Sequence, residues 1–336
     1  MADYIPNIAS PVWYGAQNFV LNTGGVFRVL YPALPVPPGR PGHPAINPPL
    51  FVGLGKYKIV MFTHGQGTTY LSWDFTLSEL ARAGYIVIIP ETNGESVLSA
   101  NVLDVPLRAF DWVINNPESQ FRNVVDLSMT GLCGHSYGGP VAAALALDLG
   151  KKAVYASIAG AFIDSETNVG HVDLTAMAMP KLFIIGGNAE VDPIGGGFDL
   201  NSNDAVDHQL WNMLPRPKHN LNFVNAAHLD YVPAGAPGSL PGRGPCSLVP
   251  RLTSDFLATF FTKYMAPQVD DSLGVYNNLV MEPVGPLQVQ SYPVGFLTGL
   301  SAILENPRCG AISTWDLPPV PPSPEPQFGF DFFGVI

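Results

Sequence analysis

The sequence predicts an α/β fold in which a mostly parallel central sheet is covered by helices on both faces, with no large lid. Three observations carry the prediction. Between Tyr57 and Met265 short β-rich runs alternate with helical patterns, and that alternation builds parallel sheets buried on both sides. One apolar run ends in Gly134-His135-Ser136-Tyr137-Gly138-Gly139, a Gly-x-Ser-x-Gly turn of the kind that joins a strand to a helix. The chain has 336 residues, of which 47% are hydrophobic and 13% charged. Soluble domains average about 25% charged, so this composition favours a large core, and folds of this class run past two hundred residues as one domain.

Taken in order, residues 1 to 55 form antiparallel entry strands and a proline-rich connection that belong to the same domain. The strand-like runs Val12 to Leu21 and Val26 to Tyr31 flank Asn22-Thr23-Gly24-Gly25, a hairpin signal. Pro32 to Pro49 reads as an extended surface connection, because proline fixes φ and removes a donor. Residues 56 to 265 are the α/β core. Its expected strands are Lys58 to Phe62, Leu127 to Cys133, Ala153 to Ala159, Lys181 to Gly187 and His219 to Ala226. Helical patterns cover Leu71 to Ala83, Val102 to Asn115, Gly139 to Leu147, Ala205 to Leu214 and Leu248 to Tyr264. Residues 266 to 336, with Pro318-Pro319-Val320-Pro321-Pro322, read as an irregular C-terminal extension.

Ser136 is the candidate nucleophile, since a serine on a sharp strand-to-helix turn presents its hydroxyl at the sheet edge, and Gly134 and Gly138 keep side chains out of the close crossing. Such a serine needs a base and an acid, which follow it in the order serine, acid, histidine. Asp192 lies in the loop after the run Lys181 to Gly187, with Glu190 beside it, and His228 lies just past the run His219 to Ala226. His219 is less well placed. Asp164, after the strand Ala153 to Ala159, is the alternative acid. Two backbone N–H groups are needed for a developing oxyanion. Tyr137 offers one, and Gln66, in the glycine-flanked loop Thr63-His64-Gly65-Gln66-Gly67-Thr68, offers the other. His64, Gly65 and Phe162 are the candidate cleft residues.

With these residues in place, the stretch from Lys58 to Met265 resembles the lidless serine esterases of the α/β-hydrolase superfamily: dienelactone hydrolases, cutinase-type polyester hydrolases and platelet-activating-factor acetylhydrolases. The resemblance rests on Gly84 to Asn93, on Gly134 to Gly139, and on Gly187-Asn188-Ala189-Glu190-Val191-Asp192-Pro193-Ile194. His228-Leu229-Asp230 is similar to the chlorophyllases. The resemblance implies an α/β-hydrolase fold and ester hydrolysis through Ser136, His228 and Asp192. The chain departs from the polyester hydrolases at Gln66, where they carry an aromatic, and at Tyr137, where they carry methionine; both positions bear on the substrate clamp. A chlorophyllase-like or acyl-transfer activity at the same site is the alternative, and a non-catalytic binding protein of the same fold is a further one.

The resemblance implies a small or polymeric ester as partner, and composition argues against other classes. A net charge of −11 and a pI near 4.9 argue against nucleic acid, whose binding needs clustered Lys and Arg. No apolar run reaches the length of a spanning helix, and the N-terminus lacks a signal-peptide pattern. Low charge favours export if Met1 is an added start, and a native Met1 favours the cytoplasm. No cofactor or metal is expected: Asp199 to Asp204 resembles the start of a calcium loop but has Asp204 where glycine is needed and Leu210 where glutamate is needed. The twenty or so residues before Lys181, where related folds insert a lid, are too few for one, which implies an open cleft. Of three cysteines, Cys133 reads as a buried hydrophobe, and Cys246 with Cys309 could form a bridge pinning the extension to the core.

Overall fold

The alternation expected between Tyr57 and Met265 produces one ten-stranded mixed sheet in the order β10-β9-β8-β7-β6-β4-β5-β2-β1-β3. The computed structural model describes residues 13–34, 45–51, 56–93, 101–162, 172–186, 213–223, 226–233, 249–266 and 311–316. Strands β1 (Trp13–Val20) and β2 (Val26–Ala33) form the expected antiparallel hairpin, closed by Leu21 and by Gly24 at φ +88°. Strand β3 (Ala45–Ile46) pairs with β1, so the proline-rich connection also supplies a short edge strand. The parallel centre consists of β4 (Tyr57–Thr63), β5 (Ile86–Pro90), β6 (Val125–His135), β7 (Ala153–Ile158), β8 (Lys181–Gly186) and β9 (Lys218–Phe223).

Side-chain alternation along the central strands sorts the core into two layers. Val60, Phe62, Val87 and Ile89 face one apolar cluster, whereas Ile59, Met61, Ile86 and Ile88 face the other, as the two-residue period of a strand requires. Helices α1 (Asp74–Arg82) and α4 (Val249–Met265) pack together on the first face. On the second face lie α2 (Asp104–Asn115) and α3 (Gly138–Leu149). Trp73, Tyr85, Phe62 and Phe183 are fully buried, each worth about 1.5–3 kcal/mol or more of transfer free energy. Arg28 ties the hairpin to α1 through Asp74, with its Nε 2.6 Å from the carboxylate and its Nη1 2.6 Å from Asn18.

The segment 266–336 contributes more than an irregular extension. Ala311–Asp316 forms β10, antiparallel to β9 at the sheet edge. Asp164, Glu190, Asp192, the Asp199 to Asp204 run, residues 205–212 of the helix expected from Ala205 to Leu214, Cys246 and Cys309 lie outside the described residues. Cys133 is a buried free thiol, as expected, and burial pushes its pKa up. Among the described residues no helix is long and apolar enough to cross a membrane, and no three His, Cys, Asp or Glu side chains gather as metal ligands.

Candidate active site

The site sits at the carboxyl ends of the parallel strands, where this architecture exposes loop groups at a crevice. Strand β6 ends at His135 and α3 begins at Gly138, leaving Ser136 to turn the chain at φ +53°. A left-handed φ costs a side-chain-bearing residue about 1–2 kcal/mol, so the surrounding hydrogen bonds must impose it. The Ser136 N–H donates to the Ile158 carbonyl at 3.1 Å, and its own carbonyl accepts from Gly139 at 2.9 Å and from Ala161 at 3.0 Å. Gly138 is required by close approach, since a Cβ there would collide with the Thr63 carbonyl. The Thr63 hydroxyl in turn donates to the Gly138 carbonyl at 2.6 Å, fastening β4 to the start of α3.

Strand register brings the loop after β4 to the serine. Thr63 pairs with Gly134, so one step further sets His64 beside His135 and the next sets Gly65 beside Ser136. A Cβ on Gly65 would lie 3.1 Å from Ser136 Oγ, 2.8 Å from the His135 carbonyl and closer still to Ser136 Cβ. The Gly65 carbonyl accepts from the Thr68 hydroxyl at 3.0 Å and lies 3.1 Å from His64 Nδ1. Among the described residues, no backbone acceptor takes the N–H of Gln66 or Tyr137. Gln66 is exposed and Tyr137 half-buried.

His228 follows β9 and is half-buried, and burial pushes its pKa down to about 4. The neutral imidazole is therefore its resting form near pH 7, as a general base requires. Its backbone carbonyl accepts from His135 Nε2 at 2.8 Å, and the two rings lie 4.7 Å apart. The Trp73 ring also packs against His135, with centroids 4.9 Å apart. Burial, with the charges of His228 and His64 added to it, holds His135 well below the usual imidazole range, although its bond to the His228 carbonyl acts the other way. His135 is thus a neutral spacer joining the elbow to the histidine loop. That loop is further fixed by Asp230, which accepts the Ala227 N–H at 2.8 Å, and by the Thr76 hydroxyl, which donates to the Tyr231 carbonyl at 2.5 Å.

The structure sets Gly65 against Ser136 and packs the His228 loop on His135, the residue before the serine; Gln66 follows Gly65 and Tyr137 follows Ser136 in the chain. Phe162 stands close by, over Gly160 and edge-on to Phe183. His64 differs from its expected place in a cleft: it is fully buried, because its ring turns inward to Glu91 with Nε2 2.8 Å from Oε1. His219 is also buried and bonds the Tyr264 hydroxyl at 2.6 Å, away from the serine. Sequence reading assigned no role to Glu91, Trp73 or Thr68. Glu91 had a visible signal, since it directly follows β5, the parallel neighbour of β4, at the functional end of the sheet. Trp73 Nε1 donates to the Thr68 hydroxyl at 3.3 Å, a link that depends on packing alone.

Comparison with known proteins agrees with this architecture. The Chlorophyllase family model matches residues 43–173. Chlorophyllase-1, chloroplastic, of Citrus sinensis is 30% identical over 125 residues, 34% of this chain and 37% of that protein. The Citrus unshiu protein of the same name is 30% identical over 107 residues, 30% of this chain and 32% of that protein. The matched stretch thus spans about a third of the length of these relatives. A ferulic acid esterase from Streptomyces cinnamoneus superposes with a TM-score of 0.57 at 14% identity, covering 85% of this chain and 97% of the esterase, a likeness of fold. Sheet order, elbow and structural likeness give the chain the α/β-hydrolase fold, and its residues 43–173 are similar to the chlorophyllases.

Proposed function

We propose that the chain is a serine carboxylic-ester hydrolase. The observation that carries this reading is Ser136 at φ +53° on the β6–α3 turn, with the Gly65 backbone against its side chain. Ser136 Oγ attacks the acyl carbon while His228 takes the hydroxyl proton. The tetrahedral oxyanion is held by the Gln66 and Tyr137 N–H groups. The alkoxide then leaves with the proton from His228, and water repeats the sequence on the acyl-enzyme. Asp192 is the acid that orients His228 and stabilises its charged form, with Asp164 as the alternative. The substrates are small or extended esters, polyesters among them, in an open cleft.

A chlorophyllase-like or acyl-transfer activity is the second reading, favoured by the family match over residues 43–173. Both readings use the same serine. A fluorophosphonate probe should form one adduct on Ser136 and none on Ser136→Ala; an unlabelled native chain would return the protein to the class of non-catalytic binders. A panel of p-nitrophenyl esters of rising acyl length, aryl esters, a polyester film and chlorophyll separates the two activities.

A further inference from the structure

The loop after β4 is tied to the protein interior by two side chains that the hydrolytic scheme above does not use. Thr68 is 6% exposed and Trp73 is fully buried. Trp73 Nε1 lies 3.3 Å from the Thr68 hydroxyl, which lies 3.0 Å from the Gly65 carbonyl. The indole nitrogen only donates and the carbonyl only accepts, so the hydroxyl receives the Trp73 bond and gives its single proton to Gly65. His64 Nδ1 also lies 3.1 Å from the Gly65 oxygen, but the direction of the Thr68 bond does not depend on that ring. Among the described residues no backbone N–H donates to the Gly65 oxygen. The Trp73 ring is held against Phe62 of β4, with centroids 4.5 Å apart, and against His135 at 4.9 Å. Thr68 is anchored from the other side, because the Thr69 N–H donates to the Ser72 hydroxyl at 3.1 Å and the Ser72 N–H to the Thr69 carbonyl at 3.0 Å. One buried indole therefore touches the strand before the loop, the residue before Ser136 and, through Thr68, the loop itself.

We propose that Thr68 is a positioning residue: its hydroxyl, directed by Trp73, fixes the plane of the Gly65–Gln66 peptide and so aims the Gln66 N–H at the oxyanion. The inference rests on the ester-hydrolase reading above. A trans peptide is planar and points its C=O and N–H in opposite directions, so a bond that holds the Gly65 oxygen sets the direction of the next N–H. The loop needs such a tie. Gln66 is exposed and stands between two glycines, of which Gly67 adopts φ +78°, and glycine turns more freely than any other residue. The peptide concerned is also next to the reacting atom, since a Cβ on Gly65 would lie 3.1 Å from Ser136 Oγ. A donor set in place beforehand costs no reorganisation when the oxyanion forms. A peptide freed to rotate weakens the bond that matters in the transition state and leaves ground-state binding as it was, so the loss falls on kcat and not on KM.

Glycine followed by glutamine occurs once in the chain, at Gly65–Gln66, so protein carrying ¹³C-carbonyl glycine and ¹⁵N-glutamine gives a single NMR cross peak for this peptide. The full chain is compared with Thr68→Val, Thr68→Ser and Trp73→Phe by that cross peak, by kcat and KM for a p-nitrophenyl ester, and by inhibition with an aryl trifluoromethyl ketone, whose hemiketal oxygen takes the place of the oxyanion. Thr68→Val should shift the carbonyl resonance and lower kcat on the order of tenfold with KM unchanged, less than the roughly 10²–10³ lost with an oxyanion donor. The ketone should weaken by the same factor as kcat. Thr68→Ser keeps the hydroxyl and should recover most of both. Trp73→Phe keeps a ring against His135 but loses the indole N–H; it should cost less than Thr68→Val, and nothing further when added to it, because the two side chains act as one relay. An unshifted cross peak in Thr68→Val, a shifted one with native kcat, or a Thr68→Ser variant as slow as Thr68→Val overturns the proposal. If Thr68→Val does not fold, Trp73→Phe carries the same comparison, and a native cross peak and kcat there overturn it. Absence of fluorophosphonate labelling on the native chain would sink the hydrolase reading instead, and the cross peak would still report whether Thr68 fixes the peptide.

Discussion

Replacing Gly65 with alanine tests whether the loop after β4 sets the reactive geometry. The added Cβ would sit 2.8 Å from the His135 carbonyl and nearer than that to Ser136 Cβ. Carbon–carbon contacts relax at about 3.5 Å, so the two chains must part by at least about 0.7 Å. Ser136 cannot supply that movement, because its backbone is held by Ile158, Gly139 and Ala161. The displacement therefore falls on Gly65 and Gln66. A misplacement of about 1 Å in a reacting constellation costs on the order of 10²-fold in rate, and inserting a methyl into a packed site costs about 1–3 kcal/mol of stability. Gly65→Ala should thus lower kcat for a p-nitrophenyl ester on the order of 10²-fold, while a urea titration shows the smaller stability loss. Activity indistinguishable from the native chain would refute the assignment of this loop to the oxyanion.

Ser136→Ala and Ser136→Gly should both lose turnover by a factor on the order of 10⁶. Because Ser136 adopts φ +53°, the glycine variant should be the more stable of the two by about 1 kcal/mol, and equal urea midpoints would argue against backbone strain at the elbow. Asp192→Asn should cost far more activity than Asp164→Asn, since a neutral amide neither stabilises the imidazolium nor fixes its tautomer; the reverse ranking in steady-state assays transfers the acid to Asp164. Burial lowers His219 to about 3, His228 to about 4 and His135 well below 6.5, so each takes up a proton on unfolding. Their stabilising contribution is complete above pH 6.5 and is lost as pH falls toward the folded values, at about 1.4 kcal/mol per pH unit for each fully buried ring. Asp255, which burial raises to about 6 despite Arg251, and Asp74, raised by burial, act in the opposite direction. The three histidines should still set the sign, so the urea midpoint should fall between pH 7 and pH 5, and a constant midpoint would refute their burial as neutral rings.

The elbow was legible because it is a local device: the backbone crossing needs glycine at fixed offsets from Ser136, and the flanking strand and helix carry their own periodicities. The same holds for the hairpin turn at Asn22 to Gly25 and for strands whose alternating apolar residues fill two opposite core layers. What the sequence by itself determined about this protein is therefore the fold class, the position of Ser136 within it and the loop that carries His228. The partners of each loop were decided elsewhere. His64 looked like a cleft residue because it follows a strand at the functional end, yet only the parallel pairing of β4 with β5 turns it inward to Glu91, twenty-seven positions away. Ala311–Asp316 lay in a proline-rich extension with little signal of its own and became a strand because β9 offered an open edge. The Trp73–His135–His228 stack joins three elements far apart in the chain. Such contacts depend on which strands become neighbours and in which register, and that is set by packing over the whole sheet, which no local pattern encodes.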